Sequence, residues 1–173
     1  MTEPDATMTR IGEGMALAAR GERGPARRLL QEVWDGFGGE RGDPLHRCAL
    51  AHTMADLQDD VGQELLWDLR ALAAADLLTD ARAAQAGVST PVSGFYPSLH
   101  LNLGDCYRRL GDVDLARGHL ERGRAAVDRL PDDGYGRLVR GGLDRLAERL
   151  GAPAGRGPGP GPGPGSGPGS GPA

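Results

Sequence analysis

The stretch that most constrains this chain is Leu101 to Pro131, LNLGDCYRRLGDVDLARGHLERGRAAVDRLP, whose spacing is that of two short helices joined by a tight turn. Leu103, Gly104, Tyr107 and Leu110 recur at the three- and four-residue intervals of one helix face. Gly111-Asp112 breaks that pattern, and Val113, Ala116, Leu120 and Val127 resume it. Gly111 suits the left-handed residue that ends a helix, and Asp112 can cap the free N–H groups of the next one. Small side chains at Gly104 and Ala116 let two antiparallel helices approach closely, with Tyr107 and Leu120 filling the space beside them.

Two weaker copies precede this unit. Gly14, Gly21, Ala26 and Leu30 take the offsets of Gly104, Gly111, Ala116 and Leu120, with Leu17 at the aromatic position and Pro25 opening the second helix of the pair. In the next copy Leu50, Ala51, Met54 and Leu57 match Leu103, Gly104, Tyr107 and Leu110, and Asp60 to Gln63 resembles a capping box that starts a further helix. There Leu65, Leu66, Leu69 and Leu72 supply the expected apolar face, Trp67 takes the large position, and Gln63 stands where a small residue is preferred. The interval from Gly14 to Ala51 is close to a repeat of about 34 residues. The interval from Ala51 to Gly104 is longer, so an insertion is expected: a continuation of the helix through Asp76–Ala86, then a loop from Gly87 to Gly94.

This arrangement resembles the tetratricopeptide repeat, through Leu103, Gly104, Tyr107, Gly111, Ala116, Leu120 and, a few residues late, Pro131. His100 stands where that family has an early Trp, and Gly123 takes the small position of the second helix. The resemblance implies an all-α fold: a right-handed superhelical stack of antiparallel helix pairs, about three repeats, with a C-terminal helix covering the exposed end. That last helix is read from Leu138, Val139, Leu143, Leu146, Ala147 and Leu150. The resemblance also implies a concave groove lined by the first helix of each pair, at Ile11 and Met15, at Cys48 and His52, and at Leu101, Asn102, Asp105, Arg108 and Arg109. His52, Asn102, Asp105, Arg108 and Arg109 are the candidate contacts for a partner protein or peptide, the arginines pairing with acidic side chains and His52 offering a hydrogen bond. The carboxylate clamp of some family members is not reproduced, since the groove has no Lys.

Composition narrows the remaining possibilities. A net charge of −4 provides no cationic surface for phosphates, so nucleic acid is not an expected partner. All the positive side chains are Arg and Asn102 is the only Asn, the bias of a GC-rich bacterial coding sequence. The repeat domain is placed at 8–150, after a disordered N-terminus at 1–7 and before a Gly/Pro/Ser-rich tail at 151–173. The tail alternates Gly and Pro with a period of two, whereas a collagen helix needs Gly at every third residue. Cys48 and Cys106 form no spaced framework, and the apolar runs are too short for a membrane span, so a cytoplasmic location without membrane attachment is expected.

No catalytic residue, cofactor or metal emerges from the motifs. Ser89, Ser93 and Ser98 lack a nucleophile elbow, the chain has no Lys for a phosphate loop, and Gly12-x-Gly14 follows no strand. Cys48 and His52 lie one helical turn apart, but two ligands do not close a tetrahedral zinc site. Asp56, Asp59, Asp60, Glu64 and Asp68 are expected at a helix end, in a turn and on the solvent side of a helix. Two other functions stay open: a small-molecule sensor or enzyme with a pocket near Tyr96, His100 and Tyr107, and a structural subunit that self-assembles through its terminal helix.

Overall fold

The computed structural model describes residues 5–151, and within them the chain forms eight α-helices and no strand. They are α1 (Ala6–Ala19), α2 (Arg23–Gly36), α3 (Pro44–Asp56), α4 (Val61–Ala75), α5 (Asp80–Gln85), α6 (Tyr96–Leu110), α7 (Val113–Ala125) and α8 (Gly134–Gly151). Among the described residues no helix is long and apolar enough to cross a membrane. The tail beyond Gly151 and the first four residues lie outside the described part. The remainder of the start at 1–7 differs from expectation: the Asp5 carboxylate accepts from the Met8 N–H at 3.0 Å, so Ala6 and Thr7 already belong to α1.

Short polar side chains set the helix boundaries. Asp43 accepts from the Leu45 N–H at 3.0 Å ahead of Pro44, Asp60 from Gln63 at 2.9 Å, and Asp112 from Leu115 at 3.2 Å. Gly111 has φ of 87°, and the Asp112 N–H donates back to the Tyr107 carbonyl at 2.9 Å, closing α6 as the turn residues suggested. Asp5 also accepts from His46 at 2.8 Å and from Arg82 at 3.1 Å, tying the start of α1 to α3 and α5.

The inserted segment departs from its expected form. α4 stops at Ala75 instead of continuing through Ala86, because Thr79 caps a separate helix, its hydroxyl accepting from the Arg82 N–H at 3.2 Å. Asp80 then accepts from the Val92 N–H at 2.7 Å, and Leu78, Ala83 and Val92 close onto Leu45 as a small apolar cluster. The insertion folds back over the start of α3.

Helices pack as the antiparallel pairs α1–α2, α3–α4 and α6–α7, and the principal contacts between pairs join α1 and α2 to α3, α4 to α6, and α6 and α7 to α8. One core gathers Ile11, Leu30, Trp34, Leu50, Trp67 and Leu99, with the two tryptophan rings edge to face at 5.0 Å. A second gathers Ala116, Leu120, Leu143 and Leu146 where α8 covers α6 and α7. α8 comes this close because position 104 is glycine: a Cβ there would lie 2.7 Å from Leu146 Cδ2.

The face that α4 buries is also not the expected one. Trp67, Asp68, Ala71, Ala74 and Ala75 point inward, while Leu66 and Leu69 are left exposed. α4 is wedged between α3 and α6, and its alanines let both neighbours approach more closely than a leucine stripe would.

Candidate functional site

Three helices deliver polar side chains to one place. α4 carries Glu64 and Asp68 one turn apart, α6 carries Asn102 and Cys106 one turn apart, and α3 brings His52 from the other side. Asp68 is 0% exposed, which corrects its expected place on the solvent side of α4, and Glu64 is partly buried as well. Asn102 Nδ2 donates to Asp68 Oδ1 at 3.4 Å, and the Cys106 thiol approaches Asp68 Oδ2 at 3.7 Å. His52 Nδ1 faces Asp68 Oδ1 at 3.7 Å, beyond hydrogen-bonding length, and is buried with no closer partner.

Crowding shifts the protonation of this group. Burial raises Asp56 and Glu64 above ordinary carboxylate values, and the Asp68 charge adds to both. Burial acts against a charge on His52, but the facing Asp68 and the nearby Asp56 outweigh it and raise the imidazole. Burial, followed by the charges of Asp68 and Glu64, pushes the Cys106 thiol up. Burial alone takes Cys48 up to about 12, so neither thiol is an activated nucleophile at neutral pH.

All five expected groove residues lie on α3 or α6, but not all are free to meet a partner. Arg108 Nε donates to Asp105 at 2.9 Å, and Arg149 of α8 reaches the same carboxylate at 3.4 Å. Arg109 forks onto Glu64, with Nη1 donating to Oε1 at 3.0 Å. The acids that engage Arg108 and Arg109 therefore come from the chain itself. Leu101 packs under α8 against Gly142, and Ile11 is wholly inside the core, whereas Met15, Cys48 and His52 do line an open surface.

That surface is an apolar cavity of about 270 Å³ between α1, α3 and α6, closed at one side by Val88 of the insertion, by Phe95 just ahead of α6 and by Tyr135 at the start of α8. Its hydroxyls are occupied: Thr53 donates to the Ala49 carbonyl at 3.0 Å, Ser98 to the Phe95 carbonyl at 3.0 Å, and Tyr135 to Ser98 at 2.8 Å. His52 is the remaining titratable group apart from the Cys48 thiol and Tyr135, and it joins the cavity to the Asp68 cluster. The residues expected around a small-molecule pocket do not line this one. Tyr96 donates to Asp76 at 2.8 Å, while His100 and His119 face each other through their Nδ1 atoms at 3.0 Å with Tyr107 stacked on His119.

Glu64, Asp68, Cys106 and Arg149 were missed as site residues by sequence reasoning. The four-residue spacing within Glu64–Asp68 and within Asn102–Cys106 was the available signal, hidden by the leucines that made the opposite face of α4 look buried. Comparison of the chain with family models, with curated proteins and with solved structures returns no match.

Proposed function

We propose that this chain is a non-catalytic, cytoplasmic protein-interaction module that binds a partner protein or peptide along the face formed by α1, α3 and α6. The observation that carries this reading is the cavity, which takes its walls from the first helix of all three pairs and is almost entirely apolar. A cavity of 150 Å³ accommodates benzene, so the volume here suits roughly ten non-hydrogen atoms, the size of one bulky apolar side chain or two smaller ones. His52 offers the hydrogen bond that fixes the register of the bound segment, and Asn102 and Asp105, which border a separate recess beside α8, are further contacts for a segment that runs on along α6. The pairwise packing supports the finer architecture of a right-handed superhelical stack of tetratricopeptide-like repeats with α8 as its cap, since each pair's main contacts are with its neighbours in chain order.

The test is selection from a displayed peptide library on the full chain. Enriched peptides carry one recurrent bulky apolar residue, and Ala49→Phe, which fills the cavity, lowers their affinity at least tenfold. Met15→Ala, at the rim, lowers it less and keeps the helical content measured by circular dichroism. Selected peptides that bind both variants as tightly as the parent chain place recognition elsewhere and overturn the proposal.

A further inference from the structure

We propose that Cys106, Asp68 and Glu64 form a binding site for a divalent zinc ion, with His52 and Arg109 as positioning residues and solvent at the fourth position. One ligand-type atom from each of the three side chains lies within 4.8 Å of the other two. Tetrahedral zinc at about 2.0–2.3 Å from its ligands sets them roughly 3.3–3.8 Å apart. The 3.7 Å between Cys106 Sγ and Asp68 Oδ2 already has that length, and Glu64 completes the set from one helical turn before Asp68.

A group of acids alone would not carry this reading, but one buried polar atom that faces it has no hydrogen-bond partner. Asp68 is wholly inside the protein, yet no hydrogen bond to it among the described residues is shorter than 3.4 Å. His52 Nδ1, turned toward it, is buried and has no hydrogen-bond partner. Asp68 is thus held only by long contacts, and a cation coordinated among these groups would offset the cost of burying it.

The donor set selects the metal. A thiolate beside two carboxylates favours zinc over magnesium or calcium, which prefer oxygen donors alone. His52 behind Asp68 and the Arg109 fork on Glu64 are the outer partners that orient ligating carboxylates, and each Glu64 oxygen keeps a lone pair beyond the one its arginine uses. Entry is open on the Glu64 side, where a recess of about 290 Å³ is bordered by Glu64, Asn102, Asp105 and Arg149. Binding forms the zinc–sulfur bond as the Cys106 thiol releases its proton to solvent, with no change of oxidation state. This site shares His52 with the apolar cavity but needs no occupant there.

The experiment uses the untagged full chain, stripped with a chelator and titrated with zinc against a chromophoric competitor and, separately, with cobalt(II). One equivalent of zinc binds, and cobalt(II) gives a thiolate-to-metal charge-transfer band. Cys106→Ser abolishes the band and weakens zinc at least tenfold, Asp68→Asn weakens it at least tenfold, and Cys48→Ser changes neither. No band and no stoichiometric zinc in the parent chain overturns the proposal, whether or not the variants fold. Zinc affinity as high as the parent's in both Cys106→Ser and Asp68→Asn, with helical content retained, also overturns it, since exposed carboxylates then account for the binding.

Discussion

The two junctions between successive helix pairs are built from different materials. Where α1 and α2 meet α3, the interior is hydrocarbon and indole: Ile11, Leu30, Trp34, Leu50 and, from α4, Trp67. Where α3 and α4 meet α6, Leu99 and Leu103 still pack, but the interior also holds Asp68 and Cys106, with Asn102 and His52 at the edge. Apolar burial stabilises in proportion to the area removed from water, whereas buried charge gains little unless something compensates it closely. The first junction therefore contributes more to holding the fold together, and the second gives up some of that stability to place ionisable side chains side by side.

The largest expected effect separates the two junctions directly. Leu30→Ala at the first removes a wholly buried side chain that packs against Gly14, and should lower unfolding free energy by about 3–4 kcal/mol in urea denaturation. Asp68→Asn at the second, measured in zinc-free protein, should leave stability within about 1 kcal/mol of the parent or raise it, because a neutral amide needs no counter-charge. An Asp68→Asn loss as large as that of Leu30→Ala would mean that the buried carboxylate is itself a structural support.

A second test asks whether polar interiors elsewhere in the chain behave in the same way. The His100–His119 contact joins α6 to α7, and burial, then the His100 and Arg122 charges, holds His119 down at about 4 against an ordinary 6.5. The folded protein therefore binds fewer protons than the unfolded chain between those values. Stability is complete above pH 6.5, declines as pH falls, and by pH 4 has lost up to about 3 kcal/mol from this group. His119→Gln should flatten that decline, as followed by thermal melting at a series of pH values. A slope unchanged in the variant would assign the acid sensitivity to other groups.

The contrast between the junctions also explains what could be read in advance. The turns were legible because Gly111, Asp112, Asp43 and Asp60 act on backbone within three residues of themselves, and local chemistry decides them. The all-helical pairing followed from small residues at regular offsets, and Gly104 does admit Leu146 closely. The buried face of α4 was not legible, because a leucine stripe and an alanine stripe both have helical period and only the neighbours decide which one is covered. For the same reason the pattern alone points Asp68 toward solvent and Arg108 and Arg109 toward a partner, whereas Asp68 is buried and Asp105 and Glu64 engage the two arginines. Sequence spacing brought His52 and Asn102 into one expected groove, but the side chain between them came from a helix whose rotation it did not fix.

The smallest expected effect concerns the third junction, where α8 covers α6 and α7. Arg124 of α7 donates to Asp144 of α8 at 3.2 Å, and this pair looks like a clasp between the two helices. Both side chains are at least half exposed, so water and salt screen the attraction and the long arginine loses freedom in making it. Arg124→Ala should cost no more than about 0.5 kcal/mol in urea denaturation, with little dependence on added salt. Leu143 and Leu146, both almost wholly buried against Ala116 and Leu120, then account for the attachment of α8, which makes this junction the counterpart of the first and not of the second. A salt-sensitive loss above 1 kcal/mol would instead show that the last helix is held on by charge, and that the dry junction at the start of the chain is the exception.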